Sequence, residues 1–500
     1  MEIKTRRWFW ISATATAMAL LAALVELPRT PLPWFDEILL VSAARSATLG
    51  HPAAPSVLYM FPHTMRSDLF YGPVVFWIGS AVLKVFGLSL WSWRLLGWLS
   101  GVAVVLESAW LVLRLGGSRE WAAFAALMVT MSPAIGSTIT SGRTDTITLA
   151  FELLAFCLLL PESSPMRSTL AGFSWAMAIL STPRAHSMAL AFFCVLICYC
   201  VARNDLSRLR NVCLAGAIAL LCVVAWTFSI GLNPVSWYRM VLHASSGDKT
   251  NVSPLLGGSW GHLTLDPLSL VLPLGLGTWL VLWALRRRQK HPLGSAGVLL
   301  GVVLVNAAIY LMLTSRAFSY QIYWLVPSIP AALAITSLYG NIQNSKRPGL
   351  VYVLAGTIVF AGVLRVGKTT EVIASWTARD PRPLRAFVCS QIPQHSRVFG
   401  PSGPYYYAVE ECGSQYLYAG NWTASGLRSP LDGDDPHYQA GDFLLWPTNS
   451  QLPTMGALRE VAQFGTQTDH APSRSALVEL VKRRFPFTGG YPQSILYQVR

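Results

Sequence analysis

Two adjacent carboxylates, Asp36 and Glu37, follow directly after the first apolar span of the chain, in the stretch Pro33-Trp34-Phe35-Asp36-Glu37. An ionised carboxylate is costly inside a bilayer unless it faces water, a cation or a reacting group. The simpler interpretation is that the pair ends the span on its aqueous side. The alternative is that one carboxylate takes a proton from a reacting alcohol, as a general base does.

A second acidic site, Arg143-x-Asp145, stands between two later apolar spans. Basic residues also occur in loops that the topology below puts on the same side as Asp36. Cations at helix ends suit an anionic group, most simply a phosphate, although anchoring to lipid headgroups explains some of them as well. The residues of this basic set are Arg66, Arg94, Arg143, Arg184, Lys249 and Arg316, with His63, His186, His243 and His262 among them. The histidines lack metal-ligand spacing, so zinc is not predicted.

The composition indicates a polytopic membrane protein. Of 500 residues, 53% are hydrophobic and only 12% are charged, whereas a soluble protein typically carries about 25% charged residues. The net charge of +14 does not indicate nucleic-acid binding. Arginines at cytoplasmic helix ends raise the charge of any such protein, and the chain has no basic helix with interleaved aromatics.

The hydropathy pattern predicts about eleven membrane crossings. They lie near 8–28, 91–113, 121–138, 146–160, 168–182, 187–202, 212–231, 268–285, 293–313, 321–339 and 350–366. Segment 73–88 is apolar but short, and Lys84 interrupts it. If it does not cross, the most basic loops all share the side of the basic N-terminus, as the positive-inside rule requires. We therefore predict an interfacial or re-entrant helix there, a cytoplasmic N-terminus and an extracytoplasmic C-terminus.

This topology predicts two parts, a membrane domain over 1–366, with residues 29–90 as its first outer loop, and a small extracytoplasmic α/β domain over 367–500. Strands are predicted at 397–399, 415–418, 442–446 and 494–499, and a helix at 476–484. Cys389 and Cys412 can pair if this domain is extracytoplasmic. The cluster Tyr405-Tyr406-Tyr407, like Trp422, is expected to pack a core rather than to stack on sugar.

Several motifs occur in an order that resembles one known group of enzymes. They are Asp36-Glu37 after the first span, Phe70-Tyr71-Gly72-Pro73, Phe86-Gly87-x-Ser89-x-Trp91-Ser92-Trp93-Arg94-Leu95, Ser132-Pro133, Arg143-x-Asp145 and Arg316-x-x-x-Tyr320-x-x-Tyr323-Trp324-Leu325-Val326-Pro327-x-x-Pro330. Over roughly residues 8–366 the chain resembles lipid-linked-sugar glycosyltransferases of the GT-C fold. The most similar members are the bacterial aminoarabinose (lipid A) transferases and the protein O-mannosyltransferase group.

The resemblance implies an all-α polytopic membrane fold and an inverting transfer of a sugar from a polyprenyl-phosphate donor to a hydroxyl of a lipid, glycan or protein. It implies that Asp36 is the catalytic base and that Glu37 and Asp145 orient acceptor and sugar. Further candidates for substrate binding are Arg143, Arg184 and Arg316 on the phosphate side, with Tyr320, Tyr323, Arg94, His63 and Arg66. No cofactor is required, although the three carboxylates could hold Mg²⁺ or Mn²⁺.

Two other functional classes remain open. A lipid-linked-glycan transporter or flippase would also need a wet, charged cleft, but it would usually show repeated halves and ionisable residues at mid-membrane. The chain has no internal repeat, and apart from Glu107 and Glu152 its charged residues stand at or near the ends of the predicted spans. A non-catalytic glycan-binding relative is the third class. For the enzyme, the expected location is the bacterial inner membrane with the chemistry on the outer face.

Overall fold

The computed structural model describes most of the chain. The described residues are 2–57, 71–160, 164–239, 294–313, 322–343, 365–401, 403–419, 438–448, 457–465 and 491–500, with a few isolated positions besides. The predicted span 268–285, nearly all of 350–366, and the predicted helix 476–484 lie outside these residues.

Helices form the membrane part of the chain. In order they are α1 (Glu2–Glu26), α2 (Phe35–Thr48), α3 (Val74–Phe86), α4 (Leu90–Arg114), α5 (Arg119–Met131), α6 (Pro133–Thr138), α7 (Asp145–Leu159), α8 (Pro165–Ile179), α9 (Ala185–Ala202), α10 (Leu206–Ser229), α11 (Gly294–Leu313) and α12 (Ile322–Gln343). Residues 365–374 are also helical. One large apolar cluster contains residues of α1, α4 and α5 and of every helix from α7 through α12. These helices therefore form a bundle.

Local sequence explains where the helices nearest the site begin and end. Helix α4 starts at a capping box, in which the Ser89 hydroxyl accepts from the Ser92 amide and the Ser92 hydroxyl accepts from the Ser89 amide, so two end donors are satisfied. Apolar sequence runs through 121–138, yet the helix breaks at Ser132, which is extended (ψ 126°) before Pro133. Proline lacks an N–H and disfavours helical geometry in the preceding residue, so the predicted span 121–138 is two helices.

Four helices in the described part of the chain are long and apolar enough to cross a membrane, namely Arg7–Glu26, Leu90–Arg114, Ala185–Ala202 and Leu206–Ser229. Shorter apolar helices accompany them at Val74–Phe86, Gly294–Ile309 and Ile322–Ile335. The chain is therefore a multi-pass membrane protein, and the count of about eleven crossings stays a prediction. Helix α3 has 13 residues, which is short of the roughly 20 that a crossing needs.

The C-terminal part contains α13 (Pro381–Gln391), β1 (Arg397–Gly400), α14 (Tyr405–Glu411), β2 (Gln415–Tyr418), β3 (Phe443–Pro447), β4 (Leu458–Phe464) and β5 (Ser494–Val499). The sheet order is β2-β1-β3-β5-β4. Strand β1 is parallel to β2 and β3, and β5 is antiparallel to β3 and β4. The small α/β fold and four of its strands were predicted. Strand β4 and helices α13 and α14 were not.

The C-terminal part packs directly on the membrane part. A single apolar cluster contains Ile38 and Val41 of α2, Trp93 of α4, and Tyr405 and Tyr406 of α14. Tyr405, Tyr406 and Tyr407 are all buried, which confirms that this tyrosine cluster packs a core. The domain boundary at 366/367 stays a prediction.

Cys389 of α13 and Cys412, directly after α14, form a disulfide with a Cα–Cα distance of 5.1 Å. The sequence left open whether these two cysteines pair, and the structure shows that they do. The bond joins the two helices that cover the sheet on the side of the membrane domain, and it closes a loop with a sequence separation of 23 residues.

We expect the double variant Cys389→Ser/Cys412→Ser to be less stable than the native chain. Closing a loop of this length removes unfolded-chain entropy worth about 3 kcal/mol. Thermal unfolding of the detergent-solubilised protein measures the effect, with Cys194→Ser, a change at an exposed free thiol, as the control. Equal melting temperatures for the double variant and the control would contradict this expectation.

Candidate active site

Asp36 occupies the first turn of α2, and its side chain is only partly buried. The residues before it are fixed to a neighbouring turn of the chain. The indole nitrogen of Trp34 donates to the carbonyl oxygen of Ser141 at 3.0 Å, and the guanidinium of Arg143 lies 5.2 Å from the centre of the Trp34 ring. The two acidic sites that the sequence predicted, at Asp36 and at Arg143-x-Asp145, therefore lie side by side.

Glu37 points the other way, into a fully buried ion pair with Arg94 of α4. Arg94 Nε donates to Glu37 Oε1 at 2.8 Å, and Nη2 donates to Oε2 at 2.7 Å, while both side chains have 0% exposure. The third nitrogen of Arg94 donates to the carbonyl oxygen of Leu27, just past α1, at 2.9 Å. This bidentate geometry is the one that offsets the cost of removing two charges from water. The pair therefore joins α1, α2 and α4.

Gly142 brings the turn that carries Arg143 against this ion pair. Its φ is +65°, a conformation that favours glycine, and a Cβ at this position would lie 2.9 Å from Glu37 Oε1 and 2.7 Å from the indole nitrogen of Trp93. That indole nitrogen donates to the Gly142 carbonyl oxygen at 3.1 Å. The turn can approach Glu37 this closely because position 142 has no side chain.

Asp145, the first residue of α7, is buried and holds two cations. Its Oδ2 accepts from Arg143 Nε at 2.5 Å, and its Oδ1 accepts from Arg184 Nη1 at 2.8 Å. The hydroxyl of Tyr323 on α12 also donates to Oδ1, at 2.7 Å. Asp145 therefore fixes two arginine side chains that remain partly exposed, with 26% of the Arg143 side chain and 19% of the Arg184 side chain accessible.

Tyr71 lies among these charged groups. Burial, followed by the negative charge of Asp36, raises the pKa of the Tyr71 phenol to about 12, while the charges of Arg184 and Arg143 lower it. Although burial opposes it, the charges of Asp145 and Asp36 also hold the pKa of the Arg143 guanidinium above its ordinary value. Asp36, Tyr71 and Arg143 are thus close enough to act on one another electrostatically.

The position of Tyr71 follows from the residues after it. Gly72 has a φ of +86°, and it packs against the backbone of Leu180 so closely that a Cβ would overlap it. The amide of Val74 donates to the Leu180 carbonyl oxygen at 3.1 Å. This ties the start of α3 to the loop that carries Arg184, and so Tyr71 and Arg184 face the same cluster.

The arrangement combines a partly exposed carboxylate with two arginines. A carboxylate in this setting can accept a proton from an alcohol, and the guanidinium groups can stabilise an anion that forms beside it. A divalent cation fits poorly at Asp145, because both of its oxygens already accept hydrogen bonds from cations or a phenol. Across the part of the chain that the structure describes, no group of three or more His, Cys, Asp or Glu side chains could hold a metal ion.

The structure brings together Asp36, Arg143, Asp145, Arg184 and Tyr323 from the predicted site. Glu37 and Arg94 adjoin them, but both side chains are fully buried in their own pair, so they are placed to position the site rather than to touch a substrate. The remaining predicted residues, His63, Arg66, Arg316 and Tyr320, lie outside the described residues.

Two members of the cluster were not predicted as site residues. Trp34 belongs to the Asp36 stretch, and Tyr71 belongs to the motif Phe70-Tyr71-Gly72-Pro73, so the sequence did single out both segments. A third group, the Tyr407 hydroxyl of α14, donates to Glu37 Oε1 at 3.3 Å. It comes from 370 positions further along the chain, and no local pattern indicates such a contact.

Comparison with known proteins identifies the fold. Residues 71–228 match the family described as dolichyl-phosphate-mannose-protein mannosyltransferase. The crystal structure of ArnT from Cupriavidus metallidurans bound to undecaprenyl phosphate is 14% identical, with a TM-score of 0.55 and 98% of each chain covered. The apo structure of the same protein is 15% identical, with a TM-score of 0.53 and the same coverage.

A more distant likeness is to the archaeal oligosaccharyltransferase AglB from Archaeoglobus fulgidus in complex with an inhibitory peptide and a dolichol-phosphate. It is 12% identical, with a TM-score of 0.45, over 88% of this chain and 69% of that one. No curated protein sequence matches the chain. The resemblance to glycosyltransferases of the GT-C fold is confirmed, and the ArnT likeness establishes the fold over nearly the whole chain.

We expect Arg94→Met to destabilise the protein by about 3–5 kcal/mol, because it leaves the Glu37 carboxylate buried without its cation. Thermal unfolding in detergent measures the loss, and Arg119→Met at an exposed helix start is the control. The double variant Glu37→Gln/Arg94→Met also removes the buried Glu37 charge, so it should recover part of the lost stability. If Arg94→Met and the control Arg119→Met have the same unfolding temperature, the Glu37–Arg94 pair does not stabilise the fold as its geometry indicates.

Proposed function

We propose that the protein is an inverting glycosyltransferase that moves a sugar from a polyprenyl-phosphate donor to a hydroxyl acceptor at the outer face of a bacterial inner membrane. The acceptor is a lipid, a glycan or a protein. One observation carries the proposal. The partly exposed Asp36 carboxylate lies beside two arginines, Arg143 and Arg184, which a buried carboxylate, Asp145, holds in place. The fold shared with ArnT supports it.

In the proposed reaction Asp36 accepts the proton of the acceptor hydroxyl. The hydroxyl oxygen attacks the anomeric carbon of the sugar, and a new carbon–oxygen bond forms on the face opposite the phosphate. The bond between that carbon and the phosphate oxygen breaks, and the polyprenyl phosphate leaves with the electron pair. A general base of this kind contributes typically 10²–10⁴-fold to the rate.

Arg143 and Arg184 are the groups that stabilise the departing phosphate. Each uses one nitrogen on Asp145 and has partly exposed surface left. Together with Asp145 they carry a net positive charge, which complements the charge that grows on the leaving oxygen. Because Asp145 fixes them before the substrate arrives, little reorganisation is needed in the transition state.

The proposed sidedness follows from charge and from the disulfide. Asp36, Arg143 and Arg184 cluster near the end of α4 that carries Trp93, whereas Arg114 ends the same helix at its far end and Arg119 begins the next. Positive charge concentrates on the cytoplasmic side of membrane proteins, and disulfides persist in oxidising compartments. The Cys389–Cys412 bond thus supports an extracytoplasmic C-terminal domain, on the side of the site.

The second functional candidate is a lipid-linked-glycan transporter, and a non-catalytic binding relative is the third. A transporter would move the lipid without cleaving it, and a binding relative would hold the donor without turnover. The grouping of one partly exposed carboxylate with two preorganised arginines favours the enzyme, because only a reaction needs both a proton acceptor and a site for a new anion.

We expect Asp36→Asn to lower transfer at least about 100-fold, because the amide cannot accept the hydroxyl proton. The assay incubates purified protein with radiolabelled polyprenyl-phosphate sugars and a native membrane lipid extract as the source of acceptors, and it measures free polyprenyl phosphate. The matched control is Glu460→Gln, a carboxylate-to-amide change at an exposed position of β4, which should retain native activity.

Unfolding temperatures of both variants should stay close to that of the native protein. Full activity of Asp36→Asn would remove Asp36 as the base. Donor translocated into or out of vesicles without release of polyprenyl phosphate would instead identify a transporter, and donor binding without turnover would identify a binding relative.

We expect alkaline phosphatase fused after Arg500 to be active in intact bacterial cells, because the proposed topology puts the C-terminus outside the cytoplasm. A fluorescent protein that matures only in the cytoplasm, fused at the same position, should stay dark. The reverse pattern would move the site, on which the C-terminal domain packs, to the cytoplasmic face, and because α1 crosses the membrane before Asp36 it would put the N-terminus outside.

A further inference from the structure

Helix α14 of the C-terminal domain reaches the proposed active site through one hydroxyl group. Tyr407 is 4% exposed, and its hydroxyl donates to Glu37 Oε1 at 3.3 Å. Glu37 is the residue next to Asp36, in the same helical turn. The side chain of Tyr407 itself is buried and touches no group proposed to react, so any effect it has on the reaction must act through Glu37.

The Glu37 carboxylate is the point where four segments meet. It belongs to α2, it accepts two hydrogen bonds from Arg94 of α4, and it accepts one from Tyr407 of α14. On a fourth side it packs against Gly142, in the turn that carries Arg143. A shift of this carboxylate would therefore move Asp36 relative to Arg143, because it supports the backbone on both sides of the site.

Other residues of the C-terminal domain contact the residues on either side of Asp36. Gly403, before α14, lies so close to the Asp36 stretch that a Cβ there would be 2.6 Å from the Pro33 carbonyl oxygen. The ring of Phe35 packs against the ring of Tyr418, the last residue of β2, with 4.6 Å between the ring centres and an angle of 46° between the ring planes. Arg45 near the end of α2 forms an ion pair with Glu410 of α14. The C-terminal domain thus contacts α2 from its first turn to its last.

We propose that Tyr407 is a positioning residue for the transfer reaction. Through the Tyr407–Glu37 contact, the C-terminal domain holds Asp36 at a fixed position relative to Arg143 and Arg184. This inference rests on the proposed function for its kinetic part and on the contacts of Glu37 for its structural part. The domain is then a component of the active site rather than an attached module.

The chain offers a matched pair of variants for the test. Tyr407→Phe removes only the hydroxyl that reaches Glu37. Tyr405→Phe removes the hydroxyl of a tyrosine two residues away, equally buried, which is hydrogen-bonded to Ser494 Oγ at 2.7 Å inside the C-terminal domain. Both changes delete one buried hydrogen bond, and they differ in whether that bond points to the site.

The first measurement is amide hydrogen exchange, followed by mass spectrometry, of peptides that cover residues 33–48. We expect Tyr407→Phe to raise the exchange rate in these peptides several-fold, and Tyr405→Phe to leave it at the native rate. This readout needs no substrate, so it tests the positioning contact even if the native protein fails to transfer sugar from every donor tried. Such a failure would count against the proposed function alone.

The second measurement is the kinetics of polyprenyl phosphate release. We expect Tyr407→Phe to lower kcat about fivefold, because the hydrogen bond that positions Glu37 beside Asp36 is lost and a typical hydrogen bond contributes a free energy that corresponds to about that factor, with KM for the donor unchanged. Tyr405→Phe should keep the native kcat. A purely structural role would give both variants the same lowered unfolding temperature and the same kcat.

A third variant, Gly403→Ala, separately tests the close contact between Gly403 and the backbone of Pro33. The added Cβ must displace the Pro33–Trp34 backbone, so it should lower kcat by more than Tyr407→Phe does and should also speed exchange in residues 33–48. A native exchange rate in Tyr407→Phe, or a kcat equal to that of Tyr405→Phe, overturns the proposal.

Discussion

The buried ion pair between Arg94 and Glu37 is the interaction on which the rest of the site depends. Two charges with no exposed surface persist only with good geometry and further hydrogen bonds, and this pair has both, from the bidentate contact and from Leu27 and Tyr407. Successive residues of a helix point about 100° apart. With Glu37 held inward by Arg94, Asp36 is turned toward the cluster of Tyr71 and Arg143, where it stays partly exposed.

The three carboxylates of the site differ in what they contact and in how exposed they are. Glu37 is occupied by Arg94 and Asp145 by Arg143 and Arg184, so each acid is already engaged by guanidinium groups that it fixes in turn. Burial outweighs the charge of Arg94 and raises the pKa of Glu37, but this carboxylate has no exposed surface that an incoming group could reach. Burial also opposes ionisation of Asp145, yet Arg143 and Arg184 hold its pKa below the ordinary value, so Asp145 is a weak proton acceptor. Asp36 is the only one of these three carboxylates that is partly exposed, so it is the one that an incoming group can reach in the proposed site. The ion pairs of Glu37 and Asp145 hold the residues around Asp36 in place.

The sequence could predict which loops meet but not how their side chains pair. Positive-inside bias predicted that the loops of Asp36, Arg143 and Arg184 share one face, and the structure brings these three residues close together. Glu37 and Arg94 are 57 positions apart, and nothing local shows that both will be buried, so they were interpreted as groups that face substrate. Helix α5 was predicted to continue to residue 138 because a hydropathy average does not detect Pro133. The helix ends before this proline, because proline disfavours helical geometry in the preceding residue. Strand β4 was missed because all of its residues are exposed or half-buried, so its sequence lacks the apolar alternation that predicts a strand.

The placement of Asp36 also explains why a separate domain should be involved in the site. The first four N–H groups of a helix have no partner within it, and the first turn of α2 begins its helical bonding only with the Ile38 amide on the Trp34 carbonyl. A base must be held to within about 0.5 Å of its working position, and a helix end cannot do this alone. The contacts of Trp34 with Ser141, of Glu37 with Arg94 and of Gly403 with Pro33 supply that rigidity from three directions. Since one of the three comes from beyond the membrane bundle, the position of the proposed base depends on packing between the two parts of the chain.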